Sequence, residues 1–136
     1  MEISERTQML LQKNSFINWI GIELDELQTD RAVVRLEADK QHLNPYGIVH
    51  GGVYATMADT AAGIAARTDG RDYVTQCISL NYLRSQREGT IRAEARVRHR
   101  GRSTCVVEAD VTGTDGKLLA SGTMTFFCIG TEHFTE

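Results

Sequence analysis

The chain has 136 residues, 41% of them hydrophobic and 24% charged, and carries a net charge of −3. This length and apolar content predict a single domain over residues 1–136 with one core. The acidic balance, three distant cysteines and short apolar runs argue against a general nucleic-acid binder, a disulfide-stabilised domain and a membrane-spanning protein. The N-terminus lacks the basic start and apolar run of a signal peptide, so we expect a cytoplasmic location.

The first half of the chain predicts two helices separated by a hairpin and a loop. These elements are a helix over 3–14, strands over about 21–28 and 31–38, a loop over 39–49 and a helix from about 50 to 67. The loop contains the only proline, in the turn pair Asn44-Pro45. The second helix holds six alanines and few polar residues, which indicates burial on most sides, and Gly70 follows as a stop signal.

Every element predicted after residue 71 is a strand. The strands cover about 73–83, 90–100, 105–111 and 118–129, and strict alternation from 90 to 100 gives one buried and one exposed face. Runs of strands around one central helix predict an α+β fold with an antiparallel sheet of about six strands. Such a sheet leaves edges and one face to cover, which association between subunits would achieve.

A histidine and two glycines stand where the long helix is predicted to begin. The first N–H groups of a helix have no partner inside it, and glycine lets a ligand approach the backbone closely. The N–H of Gly51 or Gly52 could therefore stabilise negative charge developing on a carbonyl oxygen. Taken alone, His50 could equally be a helix cap and Asn44 a turn former.

Asp59 is the unusual residue of the long helix, which otherwise avoids charge. Burying a carboxylate without compensation is costly, so its position among alanines indicates a functional role. The alternative is a solvent-facing or ion-paired side chain.

The spacing of His50 and Asp59 bears on assembly. Nine residues at about 100° each place them on opposite sides of the helix, about 13 Å apart along its axis. One chain therefore cannot easily direct both at one carbonyl carbon. If they share a site, it combines Asn44, His50 and Gly51 of one chain with Asp59 of another, and the protein is at least a dimer.

The run NPYGIVHGG, the aspartate nine residues after its histidine and the segment NYLRS at 81–85 resemble the hotdog-fold acyl-CoA thioesterases of the phenylacetic-acid-degradation (PaaI-like) type, over about residues 15–130. The resemblance implies a long helix wrapped by a curved antiparallel sheet, dimers that pair into a homotetramer, and hydrolysis of acyl-CoA. It also implies Asp59 as general base or nucleophile, Gly51 as oxyanion donor, and Asn44 and His50 as positioning or polarising groups. Many relatives read YLRP, so the turn at Ser85 is expected to differ.

Seven arginines fall between 84 and 102, and guanidinium groups match phosphate geometry, so a local anion site is expected. The resemblance implies that the RGRS segment at 100–103 lies near the nucleotide end of CoA. The predicted substrate and CoA contacts are Gly52, Thr60, Arg84, Ser85, Arg100, Gly101, Arg102 and Ser103. Thr60 and Ser85 could instead have packing and turn roles, and Arg92, Arg96 and Arg98 are expected on a solvated strand face.

No cofactor besides the CoA of the substrate is expected, and no metal, because the four histidines lack ligand spacing. Two other functions remain open: a dehydratase or hydratase on the same fold, and a non-catalytic acyl-CoA binder. The spacing from HGG to aspartate favours the hydrolase over the first. The acyl group is not defined by the sequence, and Tyr54, Met57 and Ile64 could line its pocket or belong to the core.

Overall fold

The structure, a computed structural model, describes residues 2–131 and consists of three α-helices and one six-stranded sheet. The helices are α1 (Ile3–Lys13), α2 (Ser15–Ile20) and α3 (Gly51–Ala66), and the strands are β1 (Glu23–Gln28), β2 (Arg31–Ala38), β3 (Asp72–Tyr82), β4 (Gly89–Arg100), β5 (Thr104–Thr112) and β6 (Leu118–Gly130). All six strands agree with the predicted ones to within two residues, and the α+β prediction is confirmed. Across residues 2–131, no helix has the length and apolar character needed to cross a bilayer.

The sheet is antiparallel throughout, in the order β1-β2-β4-β5-β6-β3. After β2 the chain crosses the sheet as α3 and returns at the far edge as β3, whereas β4, β5 and β6 follow one another through short turns. Strand β3 is therefore an edge strand, with β6 as its neighbour. A register shift between Thr75 and Cys77 marks a bulge in β3.

Alanine dominates the contact between α3 and the sheet. Ala58, Ala61 and Ala62 of α3 are fully buried, as are Ala93 and Ala95 of β4. Small side chains on both surfaces let the helix approach the strands closely while the core stays well packed. Ten of the sixteen residues of α3 are buried, which confirms the prediction and leaves only a narrow side of the helix exposed.

The N-terminal segment differs from the prediction of one helix. Helix α1 ends at Lys13, and a second helix, α2, follows at once because the Asn14 side chain caps it by accepting the N–H of Ile17 at 3.2 Å. Gly21 ends α2 in the left-handed conformation, at φ 96°. Six residues are too few to display a helical period, so the only sequence signals of α2 were the cap at Asn14 and the glycine that follows it.

Candidate active site

The loop before α3 is shaped by two of the predicted site residues. The Asn44 side-chain oxygen accepts the N–H of Tyr46 at 2.9 Å and, more weakly, that of Ile48 at 3.4 Å. His50 caps α3, since its Nδ1 accepts the N–H of Gly52 at 2.8 Å while its ring stays exposed. Both side chains thus have the turn-forming and capping roles that the sequence raised as alternatives, and their part in catalysis stays a prediction.

The two glycine N–H groups at the start of α3 are not equivalent. His50 occupies the N–H of Gly52. The N–H of Gly51 has no hydrogen-bond partner among residues 2–131. This N–H lies at the positive end of a sixteen-residue helix and could donate to a developing oxyanion, so Gly51 is the candidate of the two glycines, and its role stays a prediction.

Tyr82, at the end of β3, contacts Gly51. The Tyr82 hydroxyl donates to the Gly51 carbonyl oxygen at 3.0 Å. A methyl group added at Gly51 would lie 3.3 Å from the Tyr82 ring, so the ring packs directly on the backbone of the first helical turn. The Gly51–Gly52 peptide, whose carbonyl Tyr82 binds, is therefore held by a residue of the edge strand β3.

Asp59 lies on the exposed side of α3 and contacts the other end of β3. Its Oδ1 accepts a hydrogen bond from the Thr75 hydroxyl at 2.6 Å. Within the described part of the chain, no lysine or arginine forms an ion pair with it. The carboxylate is half-buried, so it is neither a solvated surface charge nor a structural salt bridge. Thr60 beside it donates back to the Thr56 carbonyl of its own helix at 2.6 Å.

Asp59 and Thr60 lie at a cleft of about 540 Å³ between α3, β3 and the two N-terminal helices. Its apolar lining includes Leu11, Phe16, Ile17, Ile64, Ile78 and Phe126. Ile64 thus lines the cleft as anticipated, whereas Tyr54 and Met57 belong to the core, at 2% and 0% exposure. A cleft of this size with a carboxylate at its side suits a small organic group.

Within one chain, the carboxylate and the open N–H are separate. Asp59 follows Gly51 by eight residues, which is about 12 Å along the helix axis. The two candidate half-sites therefore lie apart on α3, one at its first turn and one in its middle.

Arg100, a predicted CoA contact, is already engaged inside the chain. Its guanidinium forms ion pairs with Asp30 at 2.6 Å and with Asp69 at 2.8 Å. It also donates to the Ala66 carbonyl at the end of α3, at 2.8 Å. Arg100 therefore joins three elements of the fold, and a CoA contact would have to use its remaining N–H groups.

The same network fixes the ionisation of its members. Burial raises the pKa of Tyr73 to about 12, assisted by the hydrogen bond that its hydroxyl donates to Asp69. Burial alone would also raise the pKa of Asp69, but hydrogen bonds from Tyr73 and Arg71 and the charge of Arg100 outweigh it and lower that pKa. Asp69 therefore stays ionised well into the acid range.

Three of the remaining arginines lie on a solvated strand face, as the sequence predicted. Arg92, Arg96 and Arg98 lie on the exposed face of β4 and pair with neighbouring acidic residues. Arg84 and Arg102 are exposed, and neither forms an ion pair with residues 2–131. Arg84 follows β3, with Ser85 exposed beside it, and Arg102 lies with Gly101 and Ser103 in the turn between β4 and β5. These two guanidinium groups thus lie at opposite ends of the edge strand β3.

Three residues at the two half-sites were not found from sequence: Thr75, Tyr82 and Arg67. Thr75 and Tyr82 belong to a strand whose sequence does not indicate a functional role for either side chain. They reach the helix only because β3 packs beside α3. Arg67 had a readable signal, because it follows Asp59 by eight residues and Gly63 by four, a spacing that places all three on one helix face.

Known proteins similar to this chain point to one family. The model of the thioesterase superfamily matches residues 46–120, more than half of the chain. A 1,4-dihydroxy-2-naphthoyl-CoA hydrolase of Listeria monocytogenes is 37% identical over 103 residues, covering 74% of this chain and 84% of the relative. The acyl-coenzyme A thioesterase PaaI of Escherichia coli is 31% identical over 102 residues, covering 74% and 73%.

Solved structures agree. The structure of Escherichia coli PaaI, from the phenylacetic acid degradation operon, matches with a TM-score of 0.91 at 26% identity, covering 95% of this chain and 94% of that one. A thioesterase protein of Streptococcus pneumoniae, solved with coenzyme A, matches with a TM-score of 0.78 at 30% identity, covering 82% and 88%. These matches confirm the predicted hotdog fold.

Proposed function

This chain belongs to the thioesterase superfamily, as a PaaI-like member, and on that premise we propose that it hydrolyses acyl-CoA to a free acid and CoA at a site shared by two subunits. It is a thioesterase, so the dehydratase and the non-catalytic binder raised by the sequence are no longer needed. The observation that carries the shared site is that one edge strand holds both half-sites: Thr75 of β3 binds Asp59, and Tyr82 of β3 binds Gly51.

The free edge of β3 is suited to pairing with a second copy. Its side chains at Val74, Ile78 and Tyr82 are exposed, at 48%, 41% and 53%. An edge strand with exposed apolar residues and unpaired backbone groups tends to pair with another strand. Two-fold symmetry would make that pairing antiparallel, β3 against β3.

Antiparallel pairing would unite the half-sites. A register centred near Ser79 would bring Thr75, next to the bulge, beside Tyr82 of the partner subunit. Neighbouring strands are about 4.8 Å apart, so the Asp59 that Thr75 holds would face Gly51 of the partner subunit. The same register would bring Arg84 toward the start of β3 in the partner subunit, where Arg71 donates to the carbonyls of the turn at Gly101 and Arg102.

The chemistry follows from this juxtaposition. The thioester carbonyl oxygen accepts the N–H of Gly51 of one subunit, and Asp59 of the other faces the carbonyl carbon. Asp59 either removes a proton from the attacking water or attacks the carbon itself to give an anhydride that water then hydrolyses. In both routes the carbon–sulfur bond breaks and CoA leaves as a thiolate. The thiolate takes up the proton that the attacking water has lost. Thr75 holds Oδ1 and leaves the second oxygen for the reaction.

Two arginines are proposed for the CoA phosphates. Arg84 and Arg102 have free guanidinium groups, and the dimer would bring them to one end of the shared site. Arg100 acts beside them by holding the turn, and Gly101, Ser103 and Ser85 line the same region. The homotetramer and the cytoplasmic location stay predictions.

A mixed dimer tests the shared site. Gly51→Pro removes the open N–H yet suits the helix, because proline is favoured at the first helical position and His50, at φ −60° and ψ 137°, has the conformation that precedes proline. We expect Gly51→Pro and Asp59→Asn each to lose at least about 100-fold in kcat alone. Co-expressed, they would regain about a quarter of wild-type activity, since a quarter of randomly assembled sites combine both intact halves.

The matched control is Gly51→Ala, which makes the same contact with Tyr82 but keeps its N–H, and which should retain most activity. Native mass spectrometry would verify that mixed dimers form. Mixed dimers without recovered thiol release would place both groups within one chain and refute the shared site.

A further inference from the structure

The cleft beside Asp59 contains a second charged group, Arg67, which the reaction does not require. Arg67 follows Asp59 by two helical turns and lines the same cleft. A methyl group added at Gly63, midway between them, would lie 3.0 Å from a terminal nitrogen of Arg67 and 3.5 Å from the Phe126 ring. The guanidinium therefore lies over Gly63. Gly63 follows Asp59 by about one helical turn, so the guanidinium is about 6 Å further along the helix axis than Asp59.

This guanidinium is half-buried yet unpartnered. It makes no hydrogen bond or ion pair with any side chain or carbonyl of residues 2–131, in contrast to the paired Arg6 and Arg100. Asp59 and Asp72 attract it at longer range, and Arg6, paired with Asp72, repels it. Burial lowers the pKa of Arg67, an effect that the two aspartates only partly offset. A charge held in this way is costly unless a ligand completes it.

The walls of the cleft are largely apolar. Ile64, Ile78, Phe16 and Phe126 line it together with polar residues such as Thr56 and Thr75, and Lys13 of α1 is the other cation that lines it among residues 2–131. The cleft thus offers a reacting carboxylate at one level, an apolar middle and a cation about one helical turn beyond. This order matches an acyl group that is short or single-ringed and polar at its far end.

We propose that Arg67 binds an oxygen acceptor, a carboxylate or a hydroxyl, at the far end of the acyl group, so that the preferred substrates are short acyl-CoAs with a polar terminus. This inference rests on the proposed hydrolysis, with the acyl group in this cleft. Arg67 would donate two N–H groups to a carboxylate or one to a neutral oxygen. Its role is selection of the substrate, and the bond-breaking step stays with Asp59 and Gly51.

Three six-carbon probes test it: hexanoyl-CoA, 6-hydroxyhexanoyl-CoA and adipoyl-CoA, which differ only at the far end. For the wild type we expect kcat/KM at least about tenfold higher for one or both oxygen-bearing probes than for hexanoyl-CoA. Arg67→Met, which keeps the apolar stem, should abolish the ratio, and Arg67→Lys should restore part of it. The two polar probes tell a carboxylate site from a hydroxyl site. Arg98→Met, on the exposed face of β4, is the matched control and should keep the wild-type ratio.

Calorimetry on the Asp59→Asn protein gives a second readout without turnover, and the same preference in Kd is expected there. Absence of thiol release from all three probes would refute the hydrolysis, whereas turnover with equal kcat/KM for all three would overturn only the role of Arg67. A preference that persists in Arg67→Met would overturn it as well. If Arg67→Met kept the wild-type ratio of kcat/KM but lost the dimer on sedimentation, the guanidinium would belong to a subunit contact, and the proposed role would be overturned too.

Discussion

Asp59 and Asp69 are ten residues apart, in α3 and just beyond it, and their surroundings are opposite. Asp69 accepts hydrogen bonds from Tyr73 at 2.6 Å and Arg71 at 2.8 Å and forms an ion pair with Arg100 at 2.8 Å. Asp59 has one neutral donor, Thr75, and a cleft. A fully paired charge stabilises the fold and has no capacity left for a ligand, whereas a carboxylate with a single donor keeps an oxygen for chemistry. Substitution of Asp59 should therefore affect mainly turnover, and substitution of Asp69 should affect mainly stability.

The largest expected effect is the loss of turnover on changing Asp59. Asp59→Asn should lower kcat by about a thousandfold, within the range for a general base. Its unfolding free energy should change by less than about 1 kcal/mol, because the amide oxygen can still accept from Thr75. Thiol release and urea unfolding measure the two. Asp110→Asn is the matched control, since Asp110 also accepts a 2.6 Å bond from a hydroxyl, that of Ser121, but away from the cleft. Equal activity in both variants would contradict the role of Asp59.

The second expected effect separates two neighbouring arginines. Arg100→Met leaves Asp30 and Asp69 without their cation and should lower the unfolding free energy by about 2 kcal/mol at fixed protein concentration. Arg102→Met should leave stability within about 0.5 kcal/mol and raise KM for acyl-CoA by roughly fivefold through a lost phosphate contact. KM for an acyl-pantetheine, which lacks the nucleotide, should not change. A similar rise in KM for Arg100→Met would make Arg100 a phosphate contact too, as the sequence suggested.

The smallest expected effect is on acid stability. Since folding lowers the pKa of Asp69, its ionised form contributes stability that is complete above the ordinary aspartate value of about 4 and is lost as the pH falls through the lower, folded value. Unfolding of the wild type should therefore become easier between about pH 5 and pH 2, and the decline should be shallower in Asp69→Asn. Matching slopes in urea titrations across this range would refute the effect.

Local patterns predicted most of the fold and indicated part of the candidate site. The six strands follow from alternation, and α3 follows from its alanines. The candidate catalytic residues could be recognised because the HGG run and Asp59 lie within one short segment of the chain. The two-chain argument needed only the helical repeat, which also separates Gly51 from Asp59 in the structure.

What could not be predicted depends on contacts between distant segments. Arg100 reads as a free cation in sequence, yet its partner Asp30 is 70 residues away. Thr75 reaches Asp59 only because β3 returns beside α3 and a bulge interrupts its register there. Helix α2 was missed because its six residues, four of them apolar or aromatic, are too few to display a helical period, and a single asparagine side chain starts it.

The helices α1 and α2 form the outer wall of the cleft, whereas the carboxylate, the open N–H and the edge strand all belong to later parts of the chain. The division has an evolutionary consequence. Substitutions at the positions of α1 and α2 that face the cleft would change the size of the accepted acyl group. The hydrolytic machinery would be inherited intact, so new substrate ranges can arise here without rebuilding the catalyst.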